Sequence, residues 1–462
     1  MSDRLSPLDV SFLYLETPTT HMHVGGVAIF QAPADGFDFN AFSSLVEARL
    51  GLLPRYRKKI RWVPGHISNP VWVDDPDFDL SYHVRLSALP KPGTEDQLKE
   101  FVARIQSRPL DRGRPLWELY VLEGLADDKV AIVSKTHHAM VDGVTAVDIS
   151  TLILDAGPTP RETPPDYWVP EREPSNVGLL GGAVIDWLRK PSHVVDTARS
   201  NALDARRTVS RAVEVVNGVA ATLRTTARSA PATPLNVEIG AARRFGMVAT
   251  DLDDYKRIRK SHGGTINDVV LATVTGALRA WLQTRGESVN GLTVRAMVPV
   301  SVRSESQQGA GGNRVSQYFV DLPVSEPNPV MRLHQVSYAM NAHKESNQAV
   351  GADALVALSG FAPPTLHALG ARLAGGFSRR MFNLVVTNVP GPQLPLFANG
   401  AQMLEVYPVV PLAKGQAVVV GLTSYNGGVF YGLNADRDAM YDVDVLAQCI
   451  DEALVELVET VL

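Results

Sequence analysis

The 462-residue chain is 45% hydrophobic and 20% charged, which describes a core-forming globular protein and excludes a disordered one. Its length exceeds the size at which one hydrophobic core stops growing, so two domains are expected. A net charge of −5 offers no global field for nucleic acid, and the single cysteine, Cys449, excludes an intramolecular disulfide and a thiolate metal cluster.

The first residues, Met1 to Asp9, lack the basic-then-apolar order of a signal peptide. No apolar run approaches the ~20 residues that span a bilayer. A cytoplasmic protein, soluble or peripheral to a membrane, is the expectation. Val24 to Phe30 reads as a strand, and Asn40 to Leu50 as a helix with Asn40 as its cap. Ala131 to Thr136 reads as a strand of mixed burial. Val144, Val147, Ile149, Leu152 and Leu154 then recur at helical spacing. The segment His137-His138-Ala139-Met140-Val141-Asp142-Gly143 therefore falls between a strand end and a helix start.

Pro158, Pro160, Pro164, Pro165, Pro170 and Pro174 then rule out regular structure and mark a crossing segment. Residues 177–229 are rich in Ala, Val and Arg and helical in propensity, broken at Pro191. They carry eight basic and four acidic side chains, a local net of +4 in an acidic protein. Gly178 to Lys190 has an apolar body, Trp187 and a basic end. Two readings stand side by side: a surface helical pair joining two domains, and an interfacial helix that touches a membrane.

A second mixed segment begins near residue 240. Asn267 leads a helix to Leu282, capped by Thr265 or Asn267. Thr293 to Pro299 and Leu384 to Val389 read as strands, the latter ended by Pro390-Gly391-Pro392. Ala417 to Leu422 and Gly428 to Asn434 are expected to pair through a hairpin at Asn426-Gly427. Asp442 to Val461 is a closing helix that buries Cys449, which is read as packing and not as a nucleophile. The expected division is 1–155, a crossing segment and helical linker over 156–239, and 240–462.

His138 is the candidate for proton chemistry. A neutral imidazole with a pKa near ~6.5 can take the proton of an alcohol as that oxygen attacks a thioester carbonyl, then return it to the departing thiolate. The developing oxyanion needs a hydrogen-bond donor. His137 and His138 are adjacent at a strand end, so only one of them faces a given cleft. Asp142 follows four residues after His138, and Gly143 permits a tight turn; the aspartate either locks the loop through a cation or orients the imidazole. Two histidines beside an aspartate also raise a metal site, but no HExxH or second ligand cluster accompanies them. No GxSxG elbow is present, which argues against a serine lipase. Gly309 to Asn313 lacks the lysine of a nucleotide loop and reads as a flexible loop near the cleft.

His137 to Gly143 matches the HHxxxDG motif of the CoA-dependent acyltransferase superfamily, which includes chloramphenicol acetyltransferase and peptide-synthetase condensation domains. Further segments narrow the match: Pro7-Leu8-Asp9 with His21-Met22-His23-Val24-Gly25, Pro115-Leu116-Trp117-Glu118, Asn267-Asp268-Val269-Val270, Val298 to Arg303 and Thr387 to Pro392. Together they resemble the bacterial wax ester synthase/diacylglycerol acyltransferase family over nearly the whole chain.

The resemblance implies an α/β fold of two chloramphenicol-acetyltransferase-like domains joined by a helical linker, with an active-site tunnel between them. It implies His138 as general base, His137 as a supporting motif residue, and Asp142 with Gly143 as holders of the loop, with Arg303 a candidate partner for Asp142. Asn267 is placed near the reacting carbonyl with Asp268 as its support; from the residues alone, both read equally well as helix cap and first-turn acid. Trp117 is expected to shape the tunnel, with a core tryptophan as the plain alternative, and His21 and His23 to pack at the cleft. The implied substrates are acyl-CoA and diacylglycerol or a long-chain alcohol. No cofactor, metal or nucleic acid is implied, and contact with a membrane or lipid droplet is open. A glycolipid or polyketide alcohol as acceptor, and a non-catalytic lipid-binding protein, are the alternatives.

Overall fold

The computed structural model describes residues 3–141, 149–189, 229–301, 315–345, 350–351 and 381–461. Asp142, Gly143, Arg303, the Gly309 to Asn313 loop and linker residues 190–228 lie outside the described residues.

The first half opens with β1 (Asp3–Arg4) and α1 (Pro7–Leu15), then β2 (His23–Gln31) and α2 (Phe39–Arg49). After these come β3 (Lys58–Arg61), β4 (Val71–Asp74), α3 (Leu80–His83), β5 (Val84–Ala88) and α4 (Glu95–Gln106). The half closes with β6 (Trp117–Glu123), β7 (Lys129–His137), α5 (Ser150–Ile153) and α6 (Asn176–Arg189). α1 starts where it does because Ser6 and Asp9 form a reciprocal capping box: the Ser6 hydroxyl accepts from the Asp9 amide at 3.1 Å and the Asp9 carboxylate accepts from the Ser6 amide at 3.3 Å. α2 is capped by Asp38 and not by Asn40: the Asp38 carboxylate accepts from the Ala41 amide at 2.9 Å, which puts Asn40 inside the first turn.

The second half contains β8 (Arg243–Asp251), α7 (Leu252–His262), α8 (Ile266–Thr284), β9 (Val294–Ser301), β10 (Val315–Leu322) and α9 (Pro329–Glu345). It continues through β11 (Val350–Gly351), β12 (Leu384–Pro390), β13 (Phe397–Ala398) and β14 (Ala401–Val409), and ends with β15 (Val418–Tyr425), β16 (Gly428–Asp436) and α10 (Val443–Glu459). β15 and β16 form the expected hairpin, with Asn426 and Gly427 both at positive φ, the geometry of a tight two-residue turn. α8 is buried on every side from Asp268 to Leu278, which explains its near-continuous apolar sequence.

Two mixed sheets organise the halves. One has the order β13-β14-β2-β7-β6-β5 and the other β11-β10-β9-β12-β15-β16-β8. A three-stranded sheet, β1-β4-β3, flanks the first. β7 sits between β2 and β6, and its Val130, Ala131, Ile132 and Val133 are all buried, as a central strand covered on both faces requires.

The expected boundary at 240–462 is crossed. β13 and β14 leave the second sheet and complete the first by pairing antiparallel to β2. The crossing strand is seated by two registered glycines, Gly421 and Gly432. A Cβ at Gly432 would lie 2.0 Å from the Pro408 carbonyl oxygen, and one at Gly421 would lie 2.7 Å from Val410 Cγ2. Only a strand pair without side chains there lets β14 approach this closely. The Tyr425 hydroxyl adds a fastening, donating to the Met403 carbonyl at 3.0 Å.

The 156–239 linker also departs from a free connector in its described part. Arg57 pairs with Asp166, the Asp74 carboxylate accepts from the Glu171 amide at 2.9 Å, and Arg61 meets Glu173 at 3.1 Å. α6 buries Leu179 and Ala183 against Val63, Val71 and Val73. Residues up to 189 therefore belong to the first half by packing. No helix among the described residues is long and apolar enough to cross a membrane.

Candidate active site

β2 and β7 are in register so that His23 lies opposite His137. β7 ends at His137, and His138–Met140 form a single 3₁₀ turn. The chain changes direction between the two histidines, which separates their side chains. His137 caps the turn, its Nδ1 accepting from the Ala139 amide at 3.0 Å. The His138 amide donates to the Met22 carbonyl at 2.7 Å, tying the turn to the approach to β2.

The His138 ring lies flat against Phe12 of α1, with centroids 3.9 Å apart and an interplanar angle of 20°. Its Nδ1 is buried and receives no hydrogen bond from another described residue. Burial pulls the imidazole down to about 4; its own backbone carbonyl works in the opposite direction, and His137 adds to the lowering. His138 is therefore neutral at pH 7, the state a general base needs.

Beneath the turn lies a group that sequence reasoning missed. Glu16, the C-cap residue of α1, is nearly buried among three imidazoles. Its carboxylate oxygens lie 3.4 Å from His137 Nε2, 3.5 Å from His23 Nε2 and 3.7 Å from His21 Nδ1. Arg112 reaches in to the same carboxylate and also donates to the Leu13 carbonyl at 3.0 Å. Burial opposes ionisation of Glu16, but His137, His21, His23 and Arg112 outweigh it and hold the carboxyl far below the usual range. Burial pushes His23 down to about 3, against the pull of Glu16. His21 and His23 thus pack beside the site, as expected, and share a carboxylate while doing so.

The far end of the active segment has its own anchor, also unforeseen. Arg49 is fully buried and donates through one nitrogen to both oxygens of Asp155, at 2.6 and 2.8 Å, and through another to the Leu152 carbonyl at 3.1 Å. The Asp155 backbone exchanges two hydrogen bonds with Phe397 of β13. The segment from His138 to Asp155 is thus held at one end by α1 and at the other by α2 and the crossing strand.

Trp117 sits in the core of the first half. It is fully buried, donates to the Tyr56 carbonyl at 2.7 Å and stacks on His83 at 4.6 Å. It pairs across β6 and β7 with Thr136, so it supports the strand that ends at His137 from the core. Its neighbour Glu118 accepts from the Tyr120 hydroxyl at 2.8 Å and lies 3.9 Å from the buried Lys135, which burial lowers to about 8. Lys135 donates to the carbonyls of Ile105 and Arg108, so it pins α4 and the loop after it to β7.

In the second half, Thr265 and Asp268 form a capping box at the start of α8. The Asp268 carboxylate accepts from the Thr265 amide at 2.8 Å and from the Ser337 hydroxyl at 3.2 Å, while its other oxygen is buried with no partner among the described residues. Asn267 sits in the first turn, and its side-chain oxygen accepts from Asn388 at 3.4 Å. The structure thus brings together two of the singled-out motifs, one on α8 and one on β12. Thr265, not Asn267, is the cap, so the asparagine side chain is available for another partner.

Among the described residues no group of three or more His, Cys, Asp or Glu side chains is arranged to hold a metal ion. Cys449 is buried on α10, and burial raises its thiol to about 11, which leaves it protonated and unreactive.

Comparison with known proteins bears on this geometry. The family model for the wax ester synthase/diacylglycerol acyltransferase catalytic domain matches residues 5–270, and that for the C-terminal domain of the same family matches residues 311–458. A protein named as a probable diacylglycerol O-acyltransferase, tgs1 of Mycobacterium tuberculosis, is 35% identical over 99% of this chain and 96% of its own length. A second of that name, tgs2 of the same organism, is 33% identical over 99% of both chains. The structure of a wax ester synthase/diacylglycerol acyltransferase from Marinobacter aquaeolei superposes with a TM-score of 0.72 at 28% identity, covering 99% of each chain. The first condensation domain of the calcium-dependent antibiotic synthetase shares the fold at a TM-score of 0.57 and 13% identity, over 100% of this chain and 96% of that one.

Proposed function

This chain belongs to the wax ester synthase/diacylglycerol acyltransferase family and is an acyltransferase, and we propose that it joins a long-chain acyl-CoA to diacylglycerol or a long-chain alcohol with His138 as general base. The observation that carries this reading is the state of His138: neutral at pH 7, held by Phe12 and the Met22 carbonyl, at the tip of a capped turn.

With Nδ1 enclosed beside its own carbonyl, Nε2 is the nitrogen that takes the proton. The acceptor hydroxyl gives its proton to Nε2 as its oxygen bonds to the thioester carbon. The tetrahedral intermediate collapses, the C–S bond breaks, and the imidazolium returns the proton to the thiolate of CoA. The Asn267 amide is a candidate donor to the oxyanion, steadied by Asn388. The loop-holding roles expected of Asp142 and Gly143, with Arg303 as a partner, fall on residues outside those described. CoA enters from one face of a tunnel between the halves and the alcohol from the other. The reaction so written needs no cofactor or metal. The apolar and basic linker holds the enzyme at a membrane or lipid-droplet surface on the cytoplasmic side.

The test is an assay of purified protein with palmitoyl-CoA, offered diacylglycerol and a long-chain alcohol in parallel. Product from one or both, abolished in His138→Ala with the fold intact, is the expected result. Turnover retained in that variant removes His138 as the base, and preference for soluble polar acceptors removes the lipid reading.

A further inference from the structure

Glu16 is an expensive residue to bury. A carboxylate among three imidazoles loses hydration that its neighbours only partly replace, and an apolar side chain of similar size would suit a core better. Arg112 donates to it from the solvent side, but its distances to His21, His23 and His137 are all at or beyond 3.4 Å, longer than strong hydrogen bonds, so the ion pair with Arg112 does not account for the three imidazoles on its buried side.

The arrangement of His137 does. A neutral imidazole has one donor nitrogen and one acceptor nitrogen. The Ala139 amide points its hydrogen at Nδ1 from 3.0 Å, so Nδ1 must carry the lone pair and Nε2 the proton. Nε2 is the nitrogen that faces Glu16. With the proton on Nδ1 instead, two N–H groups would confront each other, the cap would be lost, and the turn that begins at His138 would open. α1 thus contacts the active segment twice: Phe12 lies against the His138 ring, and one turn later Glu16 faces His137. Arg112, half-exposed, balances the charge of Glu16 from the solvent side.

We propose that Glu16 is a positioning residue for the transfer reaction: it keeps the proton of His137 on Nε2, so that Nδ1 caps the 3₁₀ turn that presents His138. The proposal rests on the reading of His138 as the base. Glu16 itself touches no substrate and moves no proton. Its effect reaches the reaction through the backbone of one turn, where a displacement near 1 Å costs about a hundredfold in rate.

Two measurements test it. In protein labelled with ¹⁵N-histidine, the His137 signals, assigned by their loss in His137→Asn, are expected to report a proton on Nε2. The same tautomer is expected in Glu16→Gln, whose amide oxygen still accepts, and a mixture in Glu16→Ala. In steady-state kinetics with palmitoyl-CoA, Glu16→Ala is expected to lower kcat by about tenfold to a hundredfold with KM little changed, while Glu16→Gln stays near wild type. Asparagine is a good helix cap without any tautomer to set, so Glu16→Ala in the His137→Asn background is expected to change kcat by less than about twofold.

A wild-type His137 protonated on Nδ1 overturns the proposal, as does the same fold-loss from Glu16→Ala in both backgrounds. The spectra need no activity and therefore survive an inactive or weakened double variant. If His138→Ala keeps full turnover while the tautomer behaves as expected, the base assignment fails and the hold of Glu16 on His137 stands.

Discussion

The polar centres of the two halves are built on opposite terms. Around His138, buried imidazoles outnumber their partners: both nitrogens of His21 and of His23 lack a hydrogen bond among the described residues. At the start of α8, Thr265, Asp268 and Ser337 satisfy one another, with one Asp268 oxygen left over. The first arrangement gives up stability to keep buried imidazoles fixed. The second is first of all a sound helix start, with Asn267 set on it. Changes among the histidines around His138 should therefore cost activity before stability, and changes in the α8 capping box stability before activity.

The largest expected effect is at His138, the proposed base. His138→Ala is expected to lower kcat by about 10³-fold, within the range for lost general-base catalysis, with an unchanged melting temperature. A matching drop in melting temperature would erase the contrast between the halves.

Next is Arg49, which belongs to the first half but acts as structure. Arg49→Met strands Asp155 as a buried charge and is expected to cost about 3 kcal/mol in urea unfolding. A loss under about 1 kcal/mol would show that other groups suffice for Asp155, among them Arg161, whose amide and guanidinium lie 3.3 and 3.5 Å from its Oδ1. Smaller again is the cap on α8: Thr265→Ala is expected to cost about 1 kcal/mol and to leave kcat nearly intact. Asn267→Ala should show the reverse, a several-fold loss in kcat/KM with stability unmoved, if it serves the oxyanion.

The finest contrast is with pH. His23, His83 and His138 have folded values pushed down to about 3, 4 and 4. The unfolded chain therefore binds protons below about 6.5 that the folded chain refuses, and stability falls as pH drops from 6.5 toward 4. Hydrogen exchange at pH 5 should accelerate in β7 before it does in α8. Equal acceleration in both would remove the link between histidine burial and the first half.

Much of the fold was legible because it is periodic and local. β7, α8, the β15–β16 hairpin and α10 each carry their own signal in apolar spacing or turn residues, and their bounds agree with the structure to within a few positions. The family motifs were legible for the same reason: His137 and His138 are neighbours in the chain.

What escaped was non-local. Glu16 stands more than 100 residues before His137, in a helix whose pattern speaks only of its own burial. Arg49 is 106 residues from Asp155, and an arginine ending a surface-like helix reads as solvated until the fold buries it. The strand over 401–409 was not read from the sequence, and nothing in its residues says which sheet it joins; Gly421 and Gly432 leave room for it, a meaning that appears only once Pro408 lies across them.

The exchange of β14 bears on how the protein is made. The strand beside the catalytic β7 is β2, and the other edge of β2 is filled only by residues synthesised some 370 positions later. A nascent chain that has emerged as far as residue 270 already holds His138, Glu16 and Phe12, yet presents β2 as a bare strand edge, open to any other extended chain nearby. The ribosome must deliver nearly the whole polypeptide before that edge is closed. Truncations ending between the two halves are therefore expected to precipitate, and slow, contact-distant folding is built into the catalytic half.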